Sequence, residues 1–259
     1  MSNNSNNSNE QQLALYISSA QNCDYLSEQQ SRNVFIAPDT EVSPEVYAQL
    51  ISLGFRRSGR HIYRPHCETC RRCISTRIDV HNFKASRSQK RILTKNKALT
   101  FSPISADFSE QHYQLYLRYQ AHKHPGGSMQ QFERNEYRTF LCESLGNSAI
   151  FETRLGDKLL AVSVTDIFAL SMSAVYTFFD PEFASLSLGT YSVLQQIRYA
   201  QAHNKQHLYL GYYVRDSQKM NYKSNFRPLE MLIENRWISF EKARDLPVSS
   251  GSVSAAETF

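Results

Sequence analysis

Cys67, Cys70 and Cys73 stand at C-x2-C-x2-C spacing, with Cys23 upstream of them. Four thiolates suit tetrahedral zinc or an iron–sulfur cluster. The run of three is closer to a cluster-binding sequence than to zinc knuckles, which show two separated pairs. The same thiols also read as a packed, metal-free group. The chain around them is strongly basic. Between Phe55 and Arg91 stand eleven Lys or Arg and only two acids, Glu68 and Asp79. The whole chain carries +5, so the remainder is net acidic, 18 basic residues against 22 acidic ones. Charge this concentrated implies a polyanionic partner more than general solubility. The excess is rich in Arg and interleaved with Phe55, Tyr63 and Phe83, which favours RNA over a merely solvated face. Closely spaced phosphates bind Arg and Lys with strong salt dependence. A-form RNA is read by shape and backbone, so scattered cations suffice. The candidate RNA-contacting cations are Arg56, Arg57, Arg64, Arg71, Arg72 and Arg91.

These residues need a scaffold, and 259 residues of which 41% are hydrophobic supply one large domain or two ordinary ones. No run of about 18 apolar residues occurs, so no membrane partner is expected. The polar start MSNNSNNSNEQQ has no basic-then-apolar leader and reads as a disordered tail, residues 1–12. A cytoplasmic location is expected, with thiols reduced. Residues 13–98 read as an N-terminal basic α+β domain holding the cysteines. It has strands at 13–17, 33–36 and 75–80, a helix opened by Ser43-Pro44 and closed by Gly54, and a charged helix over 85–97. Residues 99–245 read as a second domain. Its order is a strand at 99–104, helices over 107–122 and 128–144, then a three-strand meander at 149–155, 159–168 and 173–179. A helix over 188–203, a strand at 207–214, a short helix at 216–223 and a final strand or strand pair over 229–240 follow. Cys142 falls on a helical face and reads as core. Residues 246–259 read as a second disordered tail. The fold class is α+β, or mixed α/β.

The order of the second half resembles the GNAT-type acyltransferase fold, in which the acyl donor binds where the fourth strand splays from the fifth. The usual coenzyme A binders carry a Gly-rich loop there. Here the junction Asp180-Pro-Glu-Phe-Ala-Ser-Leu-Ser-Leu-Gly189-Thr190 holds one Gly, so another donor is implied. Several blocks resemble the aminoacyl-tRNA–protein transferase family in its bacterial leucyl branch. In the first half these are Cys23-Asp-Tyr-Leu26, Gly54-Phe-Arg-Arg-Ser-Gly59, Tyr63-Arg-Pro-His-Cys67 through Cys73, and Arg87-Ser-Gln-Lys-Arg91. In the second half they are Phe178-Phe-Asp-Pro181, Ser187-Leu-Gly-Thr-Tyr191, Gly211-Tyr-Tyr213 and Lys219-Met-x-Tyr-Lys223-x2-Phe226-x-Pro228. Cys23-Asp24-Tyr25-Leu26 stands where the arginyl branch usually carries Cys-x-x-Cys, which favours the leucyl branch.

The resemblance implies transfer of leucine from Leu-tRNA to the N-terminal amine of proteins beginning with Asp or Glu, which marks them for degradation. It implies no cofactor for transfer. Relatives in the arginyl branch are associated with a cluster at their N-terminal cysteines. Asp180, at a strand end beside the cleft, is the candidate to orient or accept the ammonium proton, and Tyr212 and Tyr222 to relay protons or hold the ester. Asp before Pro is also a common strand terminator. Lys219 and Lys223 are candidate partners for the acidic acceptor residue, with Arg77 or Arg87 reaching in; Gln89 and Lys90 share the block of Arg87. Phe178, with Tyr176, Phe179 and Leu188, is a candidate wall for the leucyl side chain, or core. His122 and His124, before Pro125, read as structural or polar. The rivals are an arginyl transferase, an ordinary acyl-coenzyme A N-acyltransferase and a non-catalytic RNA-binding protein.

Overall fold

The computed structural model describes residues 12–145 and 148–247. The two expected tails lie outside the described residues except at positions 12, 246 and 247. In chain order the elements are β1 (Leu15–Ile17), β2 (Gln21–Asn22), β3 (Gln30–Ser31), β4 (Asn33–Ile36), α1 (Pro44–Ser52), β5 (Arg56–Ser58), β6 (His61–Pro65), β7 (Ile74–Asp79) and α2 (Arg87–Lys95). Next come β8 (Thr100–Ser105), α3 (Glu110–Lys123), α4 (Arg134–Tyr137), β9 (Ser148–Leu155), β10 (Lys158–Ile167) and β11 (Ser171–Phe179). The chain continues through α5 (Leu188–Ala202), β12 (His207–Tyr213), β13 (Leu229–Ile233) and β14 (Arg236–Phe240).

Local chemistry sets the ends of these elements. Ser43 Oγ accepts from the Val46 amide, and Pro44 fills the first helical position of α1, where its missing N–H costs nothing. Gly54 follows at a φ of +90°, free of a Cβ penalty. Ser86 and Gln89 form a reciprocal capping box that starts α2. Glu234 and Asn235 both take positive φ between β13 and β14, the backbone of a tight two-residue hairpin.

One eight-stranded mixed sheet, ordered β14-β13-β7-β12-β11-β10-β9-β8, forms the frame. Helices α2 and α5 cover one face through Ile92, Leu93, Val193, Leu194 and Ile197. Helix α3 and the segment from α4 cover the other through Tyr113, Tyr116, Tyr137 and Leu141, which pack with Phe178 of β11. A smaller sheet, β1-β4-β6-β5, packs with α1 around Tyr47, Ile51 and Ile62, against Phe168 and Tyr209 of the frame. Strand β7, out of the basic segment, pairs with both β12 and β13 inside the large sheet.

The mixed α/β class stands. Strands β2, β3, β5 and β6 were not expected from the sequence, and two expected helices differ. The continuous helix expected over 128–144 is a 3-10 turn at Ser128–Gln131, the four-residue α4, and a π turn at Arg138–Cys142. The aromatic pile of Phe108, Tyr113, Tyr116 and Tyr137 on α3 sets that path in place of helical period. The short helix expected over 216–223 is a 3-10 turn at Asn221–Asn225.

Candidate active site

Strands β11 and β12 run parallel but pair only from Ser171–Ser173 to His207–Tyr209. Beyond that point β11 continues to Phe179 on β10 and β12 to Tyr213 on β7 without pairing with each other, so the sheet splits at their C-terminal ends. The cause is local. The register of β12 on β7 shifts between Tyr209 and Gly211, and Gly211 sits at a φ of +82°. Such a bulge bends its strand and increases its twist. A Cβ on Gly211 would meet nothing within 4 Å, so a substitution there is opposed by backbone strain alone. Gly211→Ala is expected to lose about 1–2 kcal/mol for the left-handed conformation, or roughly 2–8 °C in melting temperature. A melting temperature equal to the parent's would contradict a strained bulge.

The two arms of the split carry different groups. On the β11 arm, Phe179 packs at 5.0 Å between ring centroids on Tyr119 of α3, and a Cβ on Gly189 at the start of α5 would come 3.3 Å from its ring. Tyr119 in turn meets His124 at 5.8 Å. The Gln120 amide donates to Tyr176 Oη at 2.7 Å. On the β12 arm, the turn Asn221–Asn225 carries exposed Tyr222 and buried Lys223. Burial, aided by the Lys219 and Lys123 ammonium groups, holds the His124 imidazole below its usual pKa, so it is neutral near neutral pH.

Helix α2 ties both lips of the split together. Gln89 Nε2 donates to the Asn225 carbonyl at 3.0 Å on the β12 side. Asn96 Nδ2 donates to Leu186 at 2.8 Å, and Lys95 Nζ to Ser185 at 2.9 Å, on the loop after β11. The outer face of α2 leaves Arg87, Lys90 and Arg91 exposed. Beside it, a polar cleft of about 410 Å³ opens between α2 and α5, lined by Asn96, Lys97, Tyr191, Gln195 and Arg198. No carboxylate pairs with Arg87, Lys90, Arg91, Lys97 or Arg198 among the described residues.

The sequence-derived candidates fall into separate groups. Arg56 and Arg57, expected on an RNA-facing surface, are buried at 6% and 5% exposure. Arg57 is held bidentately by Asp166, with Nε and Nη2 each 2.8 Å from a carboxylate oxygen. Arg56 donates to the Phe55 carbonyl at 2.6 Å and to Ser75 Oγ at 2.7 Å, and lies over the rings of Tyr209 and Tyr212. Arg64 stacks on Phe55 at 5.2 Å, Arg71 donates to the carbonyls of Cys67 and Cys70, and exposed Arg72 pairs with Asp216 at 3.1 Å. Of the six, Arg91 alone shares the free face of α2. Arg77 is bound within the sheet to Glu230 at 2.5 Å and stacked 4.3 Å from Trp237. Gln89 is inside, capping and anchoring α2.

Asp180 caps the 3-10 turn Pro181–Leu186 by accepting from the Glu182 amide at 3.1 Å, with Arg118 at 3.6 Å. Tyr212 Oη donates to the Gly54 carbonyl at 2.8 Å, which fastens β12 to the first half. Phe178 and Leu188 are fully buried core, and Tyr176 and Phe179 line the aromatic cluster beside the split. Lys219 is exposed. Cys142 packs in the α3 core.

The four thiols do not fit a metal centre as they are placed. Among the described residues no group of three or more His, Cys, Asp or Glu is arranged to hold an ion. Burial, and then Cys67, Cys23 and Cys70 nearby, push the Cys73 thiol up to about 12, so it stays protonated. Cys67 Sγ donates to the Arg32 carbonyl at 3.8 Å. Sequence reasoning missed Asp166, Gln120, Lys97, Arg198 and the neutral setting of His124. Lys97 was visible as the continuation of the basic run; the others depend on contacts between distant elements.

Two family models match the chain: "Arginine-tRNA-protein transferase, N terminus" over residues 21–91 and "Arginine-tRNA-protein transferase, C terminus" over residues 111–233. A protein of Saccharophagus degradans named aspartate/glutamate leucyltransferase is 43% identical over 230 residues, 88% of this chain and 98% of that one. One of the same name from Pseudomonas fluorescens is 43% identical over 226 residues, 87% of this chain and 96% of the relative. Among solved structures, FemX gives a TM-score of 0.42 at 9% identity, covering 77% of this chain and 79% of that one. L-PGS from Bacillus licheniformis gives 0.42 at 13% identity, covering 65% and 52%. No helix among the described residues is long and apolar enough to cross a membrane.

Proposed function

Because this chain belongs to the arginine-tRNA-protein transferase family, in its aspartate/glutamate leucyltransferase branch, we propose the split between β11 and β12 as the place where it moves leucine from Leu-tRNA to a protein N-terminus. The enzyme is an aminoacyl-tRNA–protein transferase. The observation that carries its activity is identity of 41–43% across 87–88% of the chain with proteins of that one name.

The reaction is aminolysis of an ester. The ester is already activated, so positioning supplies much of the rate, and the carbonyl oxygen becomes an oxyanion that needs donors. Past Ser173, the β12-facing edge of β11 has no strand partner among the described residues; its amides are the donors we assign. This split is what supports a GNAT-like reading of residues 99–245. In our reading residues 13–98 bring the RNA-binding cations, chiefly on α2, and the esterified tRNA end enters between the two loops that α2 ties together. The aromatic group of Tyr119, Tyr176 and Phe179 receives the leucyl side chain. Lys219 meets the carboxylate of an N-terminal Asp or Glu. Asp180 and Tyr212 serve by holding the two arms in place, and Tyr222 lines the mouth. No cofactor enters the step. Leucylated N-termini are degradation marks, and such a pathway sits in the cytoplasm.

The test is direct. With Leu-, Arg- and Phe-tRNA compared side by side, labelled leucine is expected on a peptide starting with Asp or Glu and not on one starting with Gly. Transfer to the Gly peptide at the same rate would overturn the acceptor assignment. Arginine moving in place of leucine would overturn the donor assignment.

A further inference from the structure

Lys223 lies on the turn that follows β12, at the open end of the split, and is 3% exposed. Its Nζ is 3.5 Å from Met220 Sδ and 4.8 Å from the centroid of the Tyr222 ring. No carboxylate pairs with it among the described residues. The charged and titratable groups that face it are Arg56 from β5, Cys73 just ahead of β7, and Tyr222 on its own turn. Arg56 is fixed in place by backbone carbonyls and Ser75, and a guanidinium does not give up its charge. A second cation beside it loses its water and is repelled. A thioether and a protonated thiol do not repay that loss. Burial, and then Arg56, pull the Lys223 ammonium down to about 7. A lysine on a flexible four-carbon stem in such a setting is suited to general-base work.

Resting on the leucyl-transfer reading above, we propose that Lys223 is the catalytic base of the transfer step. The acceptor α-ammonium first gives one proton to water. Its lone pair then attacks the ester carbonyl, and a C–N bond forms. The second nitrogen proton passes to Lys223 Nζ, the C–O bond to the terminal ribose breaks, and Lys223 returns that proton to the departing ribose oxygen. The products are an amide and a free ribose hydroxyl, with Lys223 neutral again. The acidic side chain of the acceptor is then read elsewhere, at Lys219.

The experiment measures kcat and KM for an Asp-starting peptide, with saturating Leu-tRNA, across pH 6–9. Parent kcat is expected to rise with pH through about 7, because only neutral Lys223 accepts the proton, and further through about 8 as the acceptor α-ammonium gives up its first proton. Lys223→Met and Lys223→Arg are each expected to lose about 10²–10⁴-fold in kcat, the usual worth of a positioned base, with KM nearly unchanged. In both, the component at about 7 is expected to disappear, leaving only the limb of the acceptor α-ammonium, which ordinarily titrates at about 8. Added ethylamine or propylamine restores part of the rate to Lys223→Met.

Folding is checked separately. Between the folded value of about 7 and the unfolded 10.5, the unfolded chain holds a proton that the folded chain does not. Parent stability therefore gains over this pH window relative to Lys223→Met. Lys223→Met is expected to melt no lower than the parent at neutral pH. A loss of rate carried entirely by KM for acidic peptides would overturn the proposal in favour of carboxylate binding. So would Lys223→Met keeping its rate and pH profile. Failure of the parent to transfer leucine at all would instead sink the reading on which the proposal rests.

Discussion

Asp166→Leu is expected to destabilise the protein by about 3–5 kcal/mol, the cost of stranding one member of a buried ion pair. The Arg57 and Asp166 side chains are both 0% exposed. The guanidinium is held by both carboxylate oxygens, by Ser148 Oγ at 2.9 Å and by the carbonyls of Gly59 and Glu143. Tyr47 Oη also donates to Asp166, at 3.3 Å. Without the carboxylate, a charge remains in a site from which water is excluded. Domains of ordinary stability hold about 5–15 kcal/mol in total, so the loss is about a fifth of that or more. The pair joins β5 of the small sheet to β10 of the large one, and its failure loosens both. Urea unfolding of the parent and variant measures the effect. The double variant Arg57→Met with Asp166→Leu is expected to regain most of the loss, since neither charge is then buried. A double variant as unstable as the single one would place the cost in packing instead.

The second large effect is on RNA affinity. Reversing Arg87, Lys90 and Arg91 together to Glu is expected to flatten the salt dependence of Leu-tRNA binding by about three units of log–log slope, near one per lost phosphate contact. Affinity at low salt falls with it. The three side chains are exposed, while the hydrogen bonds of α2 to both lips of the split come from Gln89, Lys95 and Asn96. The fold and its melting temperature should therefore hold. Neutralising Arg57 instead should cost stability and leave the slope unchanged. An unaltered slope in the triple variant would remove α2 from the RNA interface.

These two arginine groups show how far the sequence could be read. Local signals served well. Ser43-Pro44 marked the start of α1 and the period-two stretches marked β9 to β11, while the crowding of charge pointed to a polyanionic partner. Charge density did not say which arginines face out. Arg56 and Arg57 stand among exposed cations in sequence, yet their strand lies between α1 and the large sheet, where Asp166, 109 residues later, completes the site. Nothing local to Arg57 announces that partner. Lys223 has the same history. Its position after a strand suggested a surface cation for an acidic substrate, and only the packing of Arg56 and Cys73 beside it shows that it is buried next to another cation. A split between strands was expected only through the resemblance of the element order to an acyltransferase fold, and the bulge at Gly211 beside it needs the register of β12 on β7.

The placement of β7 has a consequence for cutting this protein in two. A fragment beginning after residue 98 would keep β12 and β13 but lose the strand between them. It would be left with a groove one strand wide, bordered by two rows of unmet amide and carbonyl groups, and such edges invite aggregation. The missing strand could then be returned only as a separate chain slotting into that groove. The two pieces would work as a split-protein reporter, silent apart and active when brought together, and not as two independent modules on a tether.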